Sequence, residues 1–217
     1  MPNGPGQSGH VDFRAEPERI ETALEDFIPF ADTTAVQTFY DYLRWINGPE
    51  SVLETSDCAL RPPRPHNDPH SAAKLSIHGR VFILYRNLHL NSLKEQSNWL
   101  CGKLMQILAA TDPALTAAEG VVGFTKNPSL QKAISNGRSI GTAFQATGPN
   151  DPGFGEHLML SFWAYGDNDA AVFGSLQRVF TNVWTACRQI SAEIEAALAP
   201  APNTLRQSPP EIPPIQQ

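Results

Sequence analysis

Between Val172 and Leu198 apolar residues recur at helical spacing: Val172, Phe173, Leu176, Val179, Phe180, Val183, Trp184, Cys187, Ile190, Ile194 and Leu198. The period persists for about seven turns, or roughly 40 Å at 1.5 Å rise per residue. A helix of that length with a broad apolar face has to bury that face against other elements. The rest of the chain must therefore supply a matching layer, and the nearest candidates are strands.

The segment from Leu75 to Leu88 is rich in β-branched and aromatic residues and predicts a strand. Ile77, Val81, Ile83 and Tyr85 alternate onto one face and read as core. His78, Arg80, Phe82, Leu84 and Arg86 alternate onto the other, mixing charge with apolar bulk. A second strand is predicted over His157–Tyr165, where Leu158, Leu160, Phe162 and Ala164 oppose Met159, Ser161, Trp163 and Tyr165. Both of its faces are apolar enough to be covered. Val121–Thr125 and Ile140–Thr147 are shorter strand candidates, separated by Asn127-Pro128 and a short helical segment, Ser129–Ser135.

Helices are predicted around these strands. Pro17, flanked by Glu16 and Glu18, opens one, with Ile20, Ala23, Leu24, Phe27 and Ile28 on one side until Pro29. Asp32, Thr33 and Thr34 offer a cap for a second, whose stripe of Val36, Phe39, Tyr40, Leu43 and Ile46 stops at Asn47-Gly48-Pro49. Leu93–Thr111 carries Leu100, Leu104, Ile107 and Leu108, the face of a helix lying on a sheet. Strands clustered among helices give an α+β fold: a single domain with a small, mostly antiparallel sheet packed by helices and a long C-terminal helix.

Prolines set the domain limits. Six lie between Pro200 and Pro214, and four between Pro62 and Pro69, where the missing backbone donor interrupts regular structure. The expected organisation is a flexible N-terminal segment (1–14), one α+β domain (15–199) and a Pro-rich disordered tail (200–217).

The net charge of -6 and the pI near 5.5 lack the footprint of a phosphate-backbone binder, so no nucleic acid partner is expected. No apolar run approaches the roughly 18 to 20 residues needed to span a bilayer, and the polar start of the chain is not a signal peptide, so the expectation is a cytoplasmic protein with no membrane partner. Cys58, Cys101 and Cys187 form no CxxC pair, and their odd number argues against a disulfide framework.

Several motifs suggest chemistry and have a plainer reading beside it. His66-Asn67-Asp68, with His70 close by, has the HxD half of an iron and 2-oxoglutarate facial triad, for which His157 is a distal ligand candidate. A jelly roll needs about eight strands, more than are visible, and a polar proline-rich loop is the preferred reading. Gly137-Arg138-Ser139-Ile140-Gly141 matches the GxSxG of a nucleophile elbow, but here a helix precedes and a strand follows, the reverse of the required context. His78 and His157 each lie on a strand as metal or haem ligands or as ordinary satisfied histidines. Arg61 and Arg64 suit a carboxylate or propionate, or a solvated loop. Trp45, Trp99, Trp163 and Trp184 sit at apolar positions where core packing is the default, although a flat cofactor pocket is lined the same way.

Val81-Phe82-Ile83-Leu84 is followed by a helix bearing Trp99 near its start and ending in Ile107-Leu108-Ala109-Ala110-Thr111-Asp112. Asn127-Pro128, Gly137–Phe144 and the Phe-bearing strand Leu158–Trp163 running to Asp167 continue the order. In this arrangement the stretch from Val81 to Asn168 resembles the YqcI/YcgG-type family, over about two fifths of the chain. Characterised members of that family are haem-dependent N-oxygenases. The resemblance implies a b-type haem, dioxygen, and an amine- or guanidino-bearing small molecule as substrate. If haem is bound, the candidates in this chain are His157 or His78 as axial ligand, Arg80 or Arg86 as partner of a propionate or carboxylate, and Trp163 as pocket wall. The family's His-containing element and Arg-rich step are replaced here by Thr147-Gly148-Pro149-Asn150-Asp151-Pro152, so His157 stands in by position only. The competing class is a non-catalytic intracellular binding protein, of the immunity or partner-subunit type, whose acidity steers a basic protein partner. A homodimer is compatible with either class.

Overall fold

The computed structural model describes residues 13–14, 16–20, 30–69, 71–87, 90–91, 93–112, 120–127 and 155–198. In chain order these form α1 (Thr34–Asn47), β1 (Leu53–Leu60), β2 (Arg64–Pro65), β3 (Leu75–Tyr85), α2 (Lys94–Thr111), β4 (Gly120–Asn127), β5 (Gly155–Gly166) and α3 (Asp169–Leu198). A helix is expected after Glu16; the structure describes a short 3-10 turn at Pro17–Arg19, and residues 21–29 lie outside the described residues. The expected elements over Ser129–Ser135 and Ile140–Thr147, the GxSxG segment and the Pro-rich tail lie outside the described residues.

The strands form one antiparallel sheet in the order β1-β3-β5-β4, with β2 pairing the start of β3. α3 packs on β5 and β3, α1 packs on α3 and β1, and α2 packs on α3 and β5. The described residues form an α+β fold whose described helices lie on one face of the sheet. The alternation read from the sequence explains that placement. Ile77, Val81, Ile83 and Tyr85 of β3 and Leu158, Leu160, Phe162 and Ala164 of β5 are buried, and they face Val172, Leu176, Val179, Phe180 and Val183 of α3. Phe162 meets Phe180 edge-on at 4.8 Å, and Phe180 meets Phe39 of α1 at 4.4 Å, which joins sheet, α3 and α1 through one aromatic stack.

Gly79 makes that stack fit. It pairs with Phe162 across the β3–β5 ladder, and a Cβ there would collide with the Phe162 ring and lie 2.7 Å from the Ala59 carbonyl oxygen. Gly166 ends β5 in a tight turn into α3, where a Cβ would run into the backbone of Ala171 and Val172. Asn168 then caps α3, its Oδ1 accepting from the Ala171 N–H at 3.0 Å.

β1 escapes the sequence reading because a bulge interrupts its alternation. Thr55 pairs with Ile83 and Asp57 with Phe82, so Ser56 is the extra residue. Leu53 and Thr55 point to the core before the bulge, and Leu60 does so after it, on the opposite sequence parity. At this sheet edge the Thr55 N–H donates to Asn47 Oδ1 at 3.0 Å, while Asn47 Nδ2 donates to the Leu43 carbonyl and to Thr55 Oγ1. Asn91 closes the far end of β3 similarly: its amide bonds both the N–H and the C=O of Tyr85, at 2.9 and 2.8 Å. Buried backbone groups without these partners would each lose a hydrogen bond.

All three cysteines are free, and Cys187 is buried, with burial pushing its thiol up to about 12 and the Tyr42 hydroxyl 4.0 Å away. No described helix is long and apolar enough to cross a membrane.

Candidate functional site on the helix-free sheet face

No described helix packs on the second face of the sheet. The register stacks this face's side chains in rungs along the β3–β5 seam: Ser76 opposite Tyr165, His78 opposite Trp163, Arg80 opposite Ser161 and Phe82 opposite Met159. Rungs are two residues apart, so the row extends for about 20 Å at roughly 3.4 Å per residue. Met159, Ser161, Trp163 and Tyr165 are half-buried.

The His78 ring lies nearly parallel to the Trp163 indole, with centroids 4.9 Å apart and 13° between planes. The adjacent rungs extend this surface. His66, brought alongside by β2, sits 4.9 Å from Tyr165, and the Arg80 guanidinium lies 5.7 Å from the Phe82 ring centroid. Arg61 follows the end of β1, where its N–H donates to the His78 carbonyl at 3.0 Å, and this places it next to the imidazole.

These surroundings set the protonation of His78. Its pKa is lowered from the ordinary 6.5, first by burial against its neighbours and then by the positive charges of Arg61 and Arg80. At neutral pH the ring is therefore uncharged and retains a nitrogen lone pair. That lone pair lies in the ring plane, and Trp163 covers the ring's face, so the stack fixes the imidazole without consuming its ligating edge.

The residues expected at the site fall into two groups. His78, Arg80 and Trp163 come together at one end of the seam. His157 lies on β5 six residues from Trp163, about 20 Å along the strand, where it pairs with Thr125 of β4. Arg86 follows the end of β3 at that same distant end. It is already engaged, donating through Nη2 to the Gly48 carbonyl. Burial lowers its pKa first, the nearby Arg14 lowers it further, and Glu54 opposes both. Glu54 is 2% exposed and accepts from Arg14 Nη1 at 2.9 Å, a partly buried charge pair that ties Arg14 to β1. Arg86 thus belongs to the packing around the α1–β1 turn.

The sequence reading did not single out Tyr165 or the Phe82 platform under Arg80, although the alternation of β5 placed Trp163 and Tyr165 on one face. His66 is positioned against Tyr165, while its motif neighbour His70 lies outside the described residues. No group of three or more His, Cys, Asp or Glu residues able to hold a metal ion occurs among the described residues. The tryptophans divide. Trp45 and Trp184 pack partly against the core, Trp163 belongs to the helix-free face, and Trp99 is 41% exposed on the outer side of α2.

No family model matches the chain, and no curated protein and no solved structure is similar to it. A neutral, oriented imidazole beside two guanidinium groups, on a surface of flat rings, can contact a planar molecule, neutralise its acidic substituents and donate one lone pair to a metal centre.

Proposed function

We propose that the helix-free face seats a flat, negatively charged cofactor and that this cofactor is haem, making the protein a haem-dependent oxygenase acting on an amine or guanidino group of a small molecule. The observation that carries the reading is the His78–Trp163 stack with Arg61 and Arg80 beside it. Haem brings four nitrogen ligands of its own, so a single neutral histidine satisfies the protein's share of the coordination, and a three-residue metal cluster is not required. The donor set fits the group: His78 would hold the iron, Arg61 and Arg80 would meet the propionates, and Trp163 would orient the ligand ring. When bound, haem supplies the activation of dioxygen. The chain's own residues keep His78 unprotonated and fix its ring. The choice of haem and of the nitrogen-bearing substrate rests on the family resemblance of Val81–Asn168.

The second reading, a non-catalytic partner for a basic protein, is favoured by the net charge of -6. The arginines of the helix-free face repel such a partner, so it would dock elsewhere on the molecule. The visible absorption spectrum, recorded with hemin and then after dithionite and carbon monoxide, separates the two. The haem reading expects a stoichiometric Soret band that shifts on reduction and ligation. Absence of that band removes it and leaves the binding protein.

A further inference from the structure

The helix-free face carries a charge pattern as well as rings. Arg64 of β2 stands opposite Ser76, which stands opposite Tyr165. The next rung is His78 with Trp163, flanked by Arg61, and the one after it is Arg80 between Ala59 and Ser161. Cross-strand partners share a face of the sheet, so three arginines border one row of rings. Among the described residues no acid occupies these three rungs; Asp68 and Asp167 follow the ends of β2 and β5, beyond the last of them. Arg61 and Arg64 are exposed. The net charge of -6 belongs to the chain as a whole, whereas a bound polyanion responds to charges within about 8 Å, the screening distance at physiological ionic strength. Along these rungs those charges are positive.

We infer that this row binds a short single-stranded nucleic acid, with phosphates along Arg61, Arg64 and Arg80 and bases against His78, Trp163 and Tyr165. Rungs two residues apart are separated by about 7 Å, a step that an unstacked nucleotide spans, so the three rungs hold about three nucleotides. His78 is exposed, and its ring already lies parallel to Trp163, so a base continues that stack on the outer side of the imidazole. Every base has a flat face that stacks on aromatic rings, and arginines track the backbone, so recognition is of single strands with little regard to sequence. A duplex keeps its bases paired and stacked, and offers this row phosphates alone. The inference does not rest on the haem reading: hemin and a strand meet the same rings and exclude each other, and either reading can fail without the other.

The test is fluorescence anisotropy of end-labelled octauridylate and octathymidylate titrated with the full-length protein at several salt concentrations. Saturable binding is expected, its logarithm falling with the logarithm of salt at a slope of about -2, the value for three phosphates on a single strand. A preference for one octamer identifies the sugar that the face reads. Trp163→Ala is expected to weaken binding about tenfold or more through the lost stack. Arg64→Ala, at an exposed position, keeps the test open if Trp163→Ala does not fold, and is expected to lower the magnitude of the salt slope by about 0.7. No binding of either octamer at low salt overturns the inference. A duplex of the same length that binds as tightly as the single strands, or affinities unchanged in both variants, also overturns it.

Discussion

Replacing Gly79 with alanine tests the packing that carries the candidate site, because Gly79 lies between His78 and Arg80. The new methyl group would meet the Phe162 ring and lie 2.7 Å from the Ala59 carbonyl oxygen. Neither obstacle can retreat cheaply. Phe162 is fully buried and held against Phe180 at 4.8 Å, and Ala59 is paired to Arg80 in the β1–β3 ladder. Overpacking of this kind costs about 1 to 3 kcal/mol. At about 2 to 4 °C per kcal/mol for a domain of this size, the midpoint is expected to fall by roughly 4 to 8 °C for a 2 kcal/mol loss. Gly102→Ala is the matched control: that glycine lies inside α2 with open space where its Cβ would be. There alanine raises stability by roughly 0.5 to 1 kcal/mol through helix propensity. Thermal unfolding followed by circular dichroism reads both. A Gly79→Ala protein that melts within about 1 °C of the wild type, against an effect this size, would refute the placement of Phe162 over Gly79.

Three further outcomes follow from the same geometry. Asn91→Ala strips partners from the buried N–H and C=O of Tyr85, and urea unfolding is expected to show a loss of about 2 to 4 kcal/mol. Asp112→Ala removes the carboxylate that receives Arg178 Nε and Nη2 at 2.5 and 2.6 Å and Asn182 Nδ2 at 3.1 Å. Because Arg178 is largely exposed, the expected loss is about 1 kcal/mol, and it shrinks at high salt. His78 should titrate with a midpoint below 6.5 by NMR, and Trp163→Ala should raise that midpoint by restoring hydration. A depressed histidine pKa means that the unfolded chain takes up the proton first. Its contribution to stability is thus complete above pH 6.5 and is lost as pH falls through the folded-state value.

The core half of this fold was legible because its signals are local. The stripes of α1, α2 and α3 and the alternation of β3 and β5 each follow from neighbours within one element. β1 was not legible, since the bulge at Ser56 reverses which sequence parity faces the core, and the polar Glu54 and Thr55 occupy buried positions that their distant partners Arg14 and Asn47 satisfy. The long-range pairings are also absent from any local pattern: His78 meets Trp163 only because β3 and β5 pair across some eighty residues of chain. The sequence therefore named His78, Arg80 and Trp163 as separate candidates, and the sheet register makes them neighbours. The same register sends His157 and Arg86 to the other end of the seam, a separation that spacing along the chain cannot reveal.

The central claim is that His78, on the helix-free face, holds the cofactor. Hemin titration of the wild type, His78→Ala and His157→Ala, followed in the Soret region, tests it most directly. The account predicts a stoichiometric band in the wild type and in His157→Ala, and its loss in His78→Ala with the fold preserved by circular dichroism. A His78→Ala protein that takes up hemin with the wild-type stoichiometry and spectrum would contradict it.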